Sequence, residues 1–262
     1  MKTAPHTVFM HTWFMVVRQI RNLMREPIWI AVMIVQPMAW LLLYGQLFKN
    51  VTRLGGFGTT SYITFLAPAI VVMNAFFGAT WSGMSMIADL DRKVVERFLA
   101  TPASRLSIVL SQVVRSAFTS AIQALIILFV SIALGVHIRT GVLGWLVILA
   151  VAMLVNSAFA GISQAIALLT RRDSTMIAVA NFISLPLLFL STTFLARAQM
   201  PHWMRVGARF NPVNWGVNAA RAVVLPATDW GAVGVYLLLL LALTTVTAGL
   251  ATWAFRSYQN TL

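Results

Sequence analysis

Long apolar runs separated by short polar segments dominate the pattern of this chain. Six of the runs reach the roughly 20 residues that a membrane-crossing helix needs. Their apolar positions are continuous rather than alternating, which favours helices over the strands of a membrane barrel. The pattern predicts an all-α membrane protein, a single domain over residues 1–262 with six transmembrane helices. The predicted spans cover residues 28–48, 62–87, 106–136, 142–170, 175–195 and 230–255.

A basic amphipathic segment precedes the first of these runs. Between residues 5 and 25, Phe9, Trp13 and Val17 share one helical face, whereas Arg18 and Arg21 share the other. This arrangement is typical of a helix that lies in the membrane interface. It also predicts contact with anionic lipid headgroups.

The densest group of charges, DLDRKVVERFLATPASR at residues 89–105, separates the second and third runs. A charge at the centre of a bilayer costs about 2.5–3.5 kcal/mol or more, so the segment must lie at the membrane surface or in water. Leu90, Val94 and Phe98 recur every fourth residue, which predicts a short amphipathic helix over residues 89–100. Such a helix gives a partner protein a surface to bind.

The segment from residue 196 to residue 228 is too polar and too rich in proline to cross the membrane. It still contains short apolar pieces, and Trp203 and Trp215 are suited to a membrane interface. We predict one or two short helices that dip into the outer face. An ordinary extracellular loop is the alternative.

The formal net charge of +13 is consistent with a membrane protein whose basic residues flank its spans. In that setting lysine and arginine fix topology and contact lipid, so no nucleic-acid partner is expected. Twelve of the 19 basic residues fall on the side of the amino terminus and seven on the other. We therefore predict a multi-pass protein of the cell inner (plasma) membrane with both termini in the cytoplasm.

No catalytic or metal-binding motif is present in the sequence. There is no cysteine, the four histidines are scattered, and no lysine follows a glycine as a phosphate-binding loop requires. No acidic residue falls within a predicted span, which argues against an ion-coupled carrier. We expect no metal, no catalytic residue and no bound cofactor in this chain.

Apart from Arg115, in the first turns of the third span and counted on the side of the amino terminus, the polar groups inside the spans are uncharged. We predict that Asn74, Asn156 and Asn181 line a cavity for an amphiphilic or apolar cargo. Hydrogen bonding between helices is the alternative for each of them. Gly78, Gly83 and Gly161, set among small neighbours, are expected to be packing contacts.

Three features in this order resemble one known family. They are the basic segment before the first span, "ERFLATPASR" after the second, and "MPHWMRVGARFNPVNWGVNAAR" before the last. Together they resemble the membrane subunit of ABC-2 type exporters of the daunorubicin-resistance and nodulation-factor export kind. The stretch DRKVV lacks a glycine that relatives often have, so the surface that docks onto the ATPase is expected to differ in detail.

The resemblance implies two such permeases, identical or related, and two ATPase subunits that hold ATP and Mg. It implies that residues 89–100 form a cytoplasmic coupling helix docked on the ATPase. The coupling residues would be Asp89, Leu90, Asp91, Arg92, Val94, Glu96, Arg97 and Phe98.

The resemblance also implies an extracellular re-entrant hairpin over residues 200–225. We predict that this hairpin caps the outer end of a cavity between two permeases. The predicted cap residues are Trp203, Asn211, Pro212, Trp215 and Arg221.

The function implied is that of an ATP-driven exporter of a drug, lipid or glycolipid. A membrane scaffold or assembly subunit that docks a cytoplasmic partner but transports nothing is the alternative. A membrane-embedded enzyme is a third interpretation, disfavoured by the shortage of acids and histidines.

Overall fold

A computed structural model describes residues 27–91, 105–226 and 228–259 of the chain, with side chains over 35–91, 112–226 and 228–257. All regular secondary structure within these residues is helical. The predicted interfacial helix over residues 5–25 lies outside them. So do residues 92–100 of the predicted coupling helix, and both helices stay predictions.

Nine α-helices form in the described residues. They are α1 (Pro27–Leu47), α2 (Tyr62–Thr80), α3 (Ser82–Asp91), α4 (Arg105–Ala133), α5 (Gly141–Thr170), α6 (Asp173–Phe189), α7 (His202–Phe210), α8 (Pro212–Ala222) and α9 (Trp230–Gln259). Short 3-10 turns occupy Val51–Leu54 and Arg197–Gln199.

Four stretches of helix in the described residues are long and apolar enough to cross a bilayer. They are Tyr62–Asp91, Gln112–Ala133, Gly141–Thr170 and Trp230–Ser257, and Asp173–Phe189 is a shorter apolar helix. Each coincides closely with a predicted span, because continuous apolar sequence has few alternatives to a buried or lipid-facing helix.

The second and fifth predicted spans differ in detail from the observed helices. The second is not one helix, since Trp81 separates α2 from α3. The fifth is shorter than predicted, because α6 ends at Phe189 and residues 190–195 form turns. Pro186 lies near the centre of the predicted span but in the last turn of α6; it has no N–H to donate to the carbonyl four residues earlier, and the helix ends three residues after it.

Helix α5 is the centre of the fold, with α2, α3, α4, α8 and α9 packed around it. Two glycines allow close approach. A Cβ on Gly161 would stand 2.9 Å from Oγ1 of Thr247 on α9, and a Cβ on Gly216 of α8 would stand 2.8 Å from Cγ2 of Val155. Small residues at such crossings let membrane helices gain dispersion contacts at short range. The packing role predicted for Gly161 is therefore confirmed.

A second apolar cluster lies near the ends of α3, α5 and α9 that carry Asp91, Thr170 and Arg256. It contains Met86, Ile87, Val113, Ala167, Leu168, Met176, Ala251, Ala254 and Phe255, with Leu90 packed against it. Side-chain packing thus holds helix α3 as far as Leu90, the residue before its last.

Candidate functional site

Helices α7 and α8 form a short hairpin that Asn211 connects to the end of α6. The side chain of Asn211 caps α8, where its Oδ1 accepts a hydrogen bond from the Val213 N–H at 2.9 Å. Its Nδ2 group donates to the carbonyls of Leu187 at 2.6 Å and Leu190 at 3.1 Å. The last carbonyls of a helix have no partner within that helix. Asn211 therefore satisfies one helix start and one helix end together.

Asn214 repeats this connection one turn further along α8. Its Oδ1 accepts from the backbone N–H of Thr192 at 3.0 Å and from the Thr192 hydroxyl at 2.7 Å. Its Nδ2 donates to the carbonyl of Ala208 in α7 at 2.8 Å. The buried amide thus joins both helices of the hairpin to the turn that follows α6.

Arg221, near the end of α8, is a buried cation with only 6% of its surface exposed. Its Nε donates to the carbonyl of Phe65 at 3.1 Å, and its Nη2 donates to the carbonyls of Thr192 at 3.0 Å and Thr193 at 3.3 Å. Its Cζ lies 3.5 Å from the centre of the Phe65 ring, a cation–π contact. Among the described residues its partners are neutral oxygens and a ring, not carboxylates.

Burial lowers the pKa of Arg221 to about 9, which is still above neutral pH, so the guanidinium stays charged. The positive charge is distributed over three carbonyl dipoles that belong to α2 and to the turn after α6. Arg221 therefore couples three elements that are distant in sequence.

An aromatic cluster surrounds Phe194, the residue after those whose carbonyls Arg221 contacts. Trp40, Tyr44 and Phe48 follow each other along one face of α1 and beyond, and Trp40 and Tyr44 both contact the ring of Phe194. The Tyr62 hydroxyl donates to the Phe194 carbonyl at 2.8 Å. The spacing of four residues places the three aromatic side chains on one helical face, a signal in the sequence from which the cluster could have been predicted.

Side-chain amides meet near the middle of three spans. Asn74 of α2 donates from Nδ2 to Oε1 of Gln123 on α4 at 3.2 Å. Asn156 of α5 donates from Nδ2 to the carbonyl of Ala75 at 3.1 Å. Both contacts are hydrogen bonds between helices, the alternative considered for these residues, whereas Asn181 is exposed on α6.

The break in the second span is fixed by a serine of the fourth. The Ser163 hydroxyl donates to the Thr80 carbonyl at 2.6 Å and accepts from the Gly83 N–H at 2.9 Å. A Cβ on Gly83 would stand 2.6 Å from the Ser163 carbonyl oxygen, so glycine is needed for this approach. The packing role predicted for Gly83 is confirmed, and the break itself was not predicted.

A polar chain connects α3 with α4 next to the predicted coupling segment. Gln112 donates from Nε2 to Oδ2 of Asp89 at 2.7 Å. Arg115 donates from Nη2 to Oε1 of Gln112 at 2.8 Å and to the Ser85 hydroxyl at 3.3 Å. Asp89, predicted to face an ATPase, therefore has a partner within its own chain.

Comparison with known proteins identifies the family. Residues 10–225 match the ABC-2 type transporter family, which is well over half of the chain. The chain belongs to the ABC-2 type transporter family. As a member it is a membrane permease subunit of an ABC transporter, and the family implies an ABC ATPase as its partner.

Individual relatives agree with this assignment. The chain is 30% identical over 207 residues to the "Putative transport permease ycf38" of Porphyra purpurea, an alignment that covers 79% of this chain and 70% of the relative. It is 29% identical over 218 residues to the protein of the same name from Cyanophora paradoxa, covering 81% and 74%. It is 22% identical over 260 residues to the "Daunorubicin resistance ABC transporter permease protein DrrB1" of Streptomyces coeruleorubidus, covering 98% and 88%.

The predicted cap residues of this ABC-2 permease lie in and between α7 and α8. Asn211 and Arg221 of the predicted cap contact the same turn after α6, Trp215 donates from Nε1 to the Arg209 carbonyl at 2.6 Å, and Trp203 is 65% exposed on α7. Pro212 is the first residue of α8.

Of the coupling residues, Asp89, Leu90 and Asp91 end α3. Arg92, Val94, Glu96, Arg97 and Phe98 lie outside the described residues. The coupling role itself therefore stays a prediction for all eight.

We predict that Asn211→Ala lowers the free energy of unfolding by about 1–3 kcal/mol. The substitution removes a helix cap, which contributes about 0.5–2 kcal/mol, and leaves the carbonyls of Leu187 and Leu190, at the end of α6, without the donor that Asn211 supplies. Asn50→Ala is the matched control, since Asn50 also precedes a short helix but its side chain makes no capping bond. Chemical unfolding in mixed micelles measures both variants, and equal effects of the two would contradict the role given to Asn211.

Proposed function

We propose that this chain is the membrane-spanning subunit of an ATP-driven exporter of an amphiphilic or hydrophobic cargo, such as a drug, lipid or glycolipid. One observation carries the proposal: apart from Arg115, which lies near the start of the apolar stretch Gln112–Ala133, the polar side chains inside the described spans and away from their ends are amides and hydroxyls. The four described acids lie at or beyond helix ends: Asp89, Asp91, Asp173 and Asp229. An uncharged interior is suited to an amphiphile that passes from the cytoplasm or the inner leaflet to the outside.

Energy for transport would come from a partner. The sequence has no phosphate-binding loop, so we propose that two ABC ATPase subunits hold ATP and Mg. The coupling helix over residues 89–100 would dock on them. Its packed start supports this role, because Leu90 contacts the apolar cluster at the same end of the molecule and Asp89 is bonded to Gln112.

A second permease, identical or related, would complete the translocation unit. We propose that the hairpin of α7 and α8 re-enters the outer face and caps a cavity between the two permeases, lined in part by Asn74, Asn156 and Asn181. The exposed Trp203 would anchor the cap in the outer interface. The apolar side chains exposed on α6, among them Phe182 and Phe189, leave a face for lipid or for the second subunit.

Transport is tested by purifying the permease with an ABC ATPase and measuring ATP-dependent accumulation of daunorubicin in inside-out vesicles. Daunorubicin is chosen because one relative is named for resistance to it. We expect accumulation with the active ATPase and none with a hydrolysis-deficient ATPase. A stable complex that moves no amphiphile would favour the scaffold alternative.

Phe98→Ala and Glu96→Arg are expected to separate ATP hydrolysis from transport in the same assay. Burial of one aromatic anchor contributes about 1.5–3 kcal/mol, so its loss should weaken docking by about ten- to a hundredfold. Phe129→Ala, on an exposed position of α4, is the control. Unchanged transport and unchanged co-purification in both variants would contradict the coupling role.

Six crossings would place both termini and residues 89–105 in the cytoplasm of a cell bounded by its inner (plasma) membrane. The interfacial helix over residues 5–25 would contact anionic lipids on that side. Single cysteines test the topology cleanly, since the chain has none of its own. In intact cells an impermeant thiol reagent should label Thr59→Cys and leave Ser104→Cys unmodified. Labelling of Ser104→Cys alone would reverse the orientation.

A further inference from the structure

Gly78 opens a small notch near the middle of the second span. It lies one turn after Asn74 on α2, and its backbone is exposed. A Cβ added there would have two described neighbours within 4 Å outside its own helix, Nδ2 of Asn156 at 3.8 Å and Oε1 of Gln123 at 3.9 Å. The contacts below 3.0 Å that Gly83 and Gly161 would make are not found at Gly78 among the described residues, so its packing role stays a prediction.

The amides around this notch have unused hydrogen-bonding capacity. The Nδ2 group of Asn156 donates to the Ala75 carbonyl, which fixes the orientation of the amide because only its nitrogen can donate. Its Oδ1 is buried and receives no hydrogen bond from the described residues. The bond from Asn74 occupies Oε1 of Gln123 and leaves its Nε2 group, which has no described partner, as a donor.

The lining of the notch selects by charge as well as by hydrogen bonding. Its side chains come from α2, α4 and α5, and all of them are neutral. A charged group at this depth would lack a counter-ion. A purely apolar group would leave the second N–H of the Asn156 Nδ2 group, the atom nearest to Gly78, without an acceptor. The group that fits both conditions is neutral and forms hydrogen bonds.

We propose that Asn74, Gly78, Gln123 and Asn156 form a binding subsite for an uncharged hydroxyl, carbonyl or amide group of the cargo. The missing side chain of Gly78 gives the group room, and the amides of Asn156 and Gln123 orient it. This inference rests on the proposed export function, to which it adds the chemistry of the cargo.

Cysteine labelling of the isolated permease tests the subsite without an ATPase. Gly78→Cys places a thiol in the notch, and the native chain has no cysteine to interfere. Gly249→Cys is the matched control, an exposed glycine of α9 whose Cβ would meet nothing within 4 Å. Thiols react as thiolates, which hydrocarbon suppresses, so we expect N-ethylmaleimide to label Gly78→Cys at least about tenfold faster.

Three probes that share a ten-carbon chain then define the chemical class of the ligand. We expect 1-decanol to protect Gly78→Cys from labelling, and decane and decyltrimethylammonium to leave it reactive. Equal protection by decane would show an apolar groove and overturn the proposal. Equal labelling rates for Gly78→Cys and Gly249→Cys, or no protection by 1-decanol, would also overturn it.

An alanine variant gives a second measurement that does not depend on labelling. Alanine fits at Gly78, since its neighbours stand at 3.8–3.9 Å, but it takes up the space in the notch. We expect 1-decanol to raise the melting temperature of the native permease and of Gly249→Ala, and not of Gly78→Ala. The same shift in all three proteins would contradict the subsite.

The two proposals fail separately. If the complex transports daunorubicin with ATP and Gly78→Cys is neither fast-reacting nor protected, the subsite is wrong and the exporter stands. If 1-decanol protects Gly78→Cys and no ATP-dependent transport occurs, the subsite stands and the exporter is wrong.

Discussion

A buried arginine, whose partners among the described residues are carbonyls, a hydroxyl and a ring, is the interaction on which the packing of α8 against α2 and the end of α6 depends. Arg221 donates to carbonyls of α2 and of the turn after α6, and its charge lies over the Phe65 ring. A buried charge is tolerated only when its donors are satisfied. The end of α8, the start of α2 and the residues after α6 are therefore held at fixed mutual positions, and α8 cannot separate from α2 without removing hydrogen-bond acceptors from this cation.

The two halves of the second span are supported differently. Its first helix, α2, is enclosed by the core that α5 and α8 form, and Gly216 of α8 lies close to Val72 and Val155. Its second helix, α3, begins at a break bonded to Ser163 and ends at Asp91, beside a polar chain that reaches α4. In the proposed transport cycle, a movement of the coupling helix would act first on α3 and, through Gln112, on α4. The contacts of Arg221 with α2 and with the turn after α6 would then be the last to change.

Most of the helices could be predicted from the sequence, because continuous apolar runs in a membrane have few alternatives to a helix. The two hairpin helices were also within reach, since Asn211-Pro212 is a common helix start. The break at Trp81 was not, because a serine about 80 residues later stabilises it. The candidate site was harder to predict from the sequence. Arg221 was predicted as a cap residue, and only the fold shows that its partners are backbone carbonyls.

A double-mutant cycle between Phe65 and Arg221 tests the central claim most directly. Phe65→Leu keeps an apolar side chain but removes the ring, and Arg221→Met removes the cation. If the cation and the ring stabilise each other, the free energies of unfolding in mixed micelles should show a coupling of about 0.5–2 kcal/mol. A cycle between Phe159→Leu and Arg221→Met should be additive. Additivity within about 0.3–0.5 kcal/mol in the first cycle as well would contradict the claim.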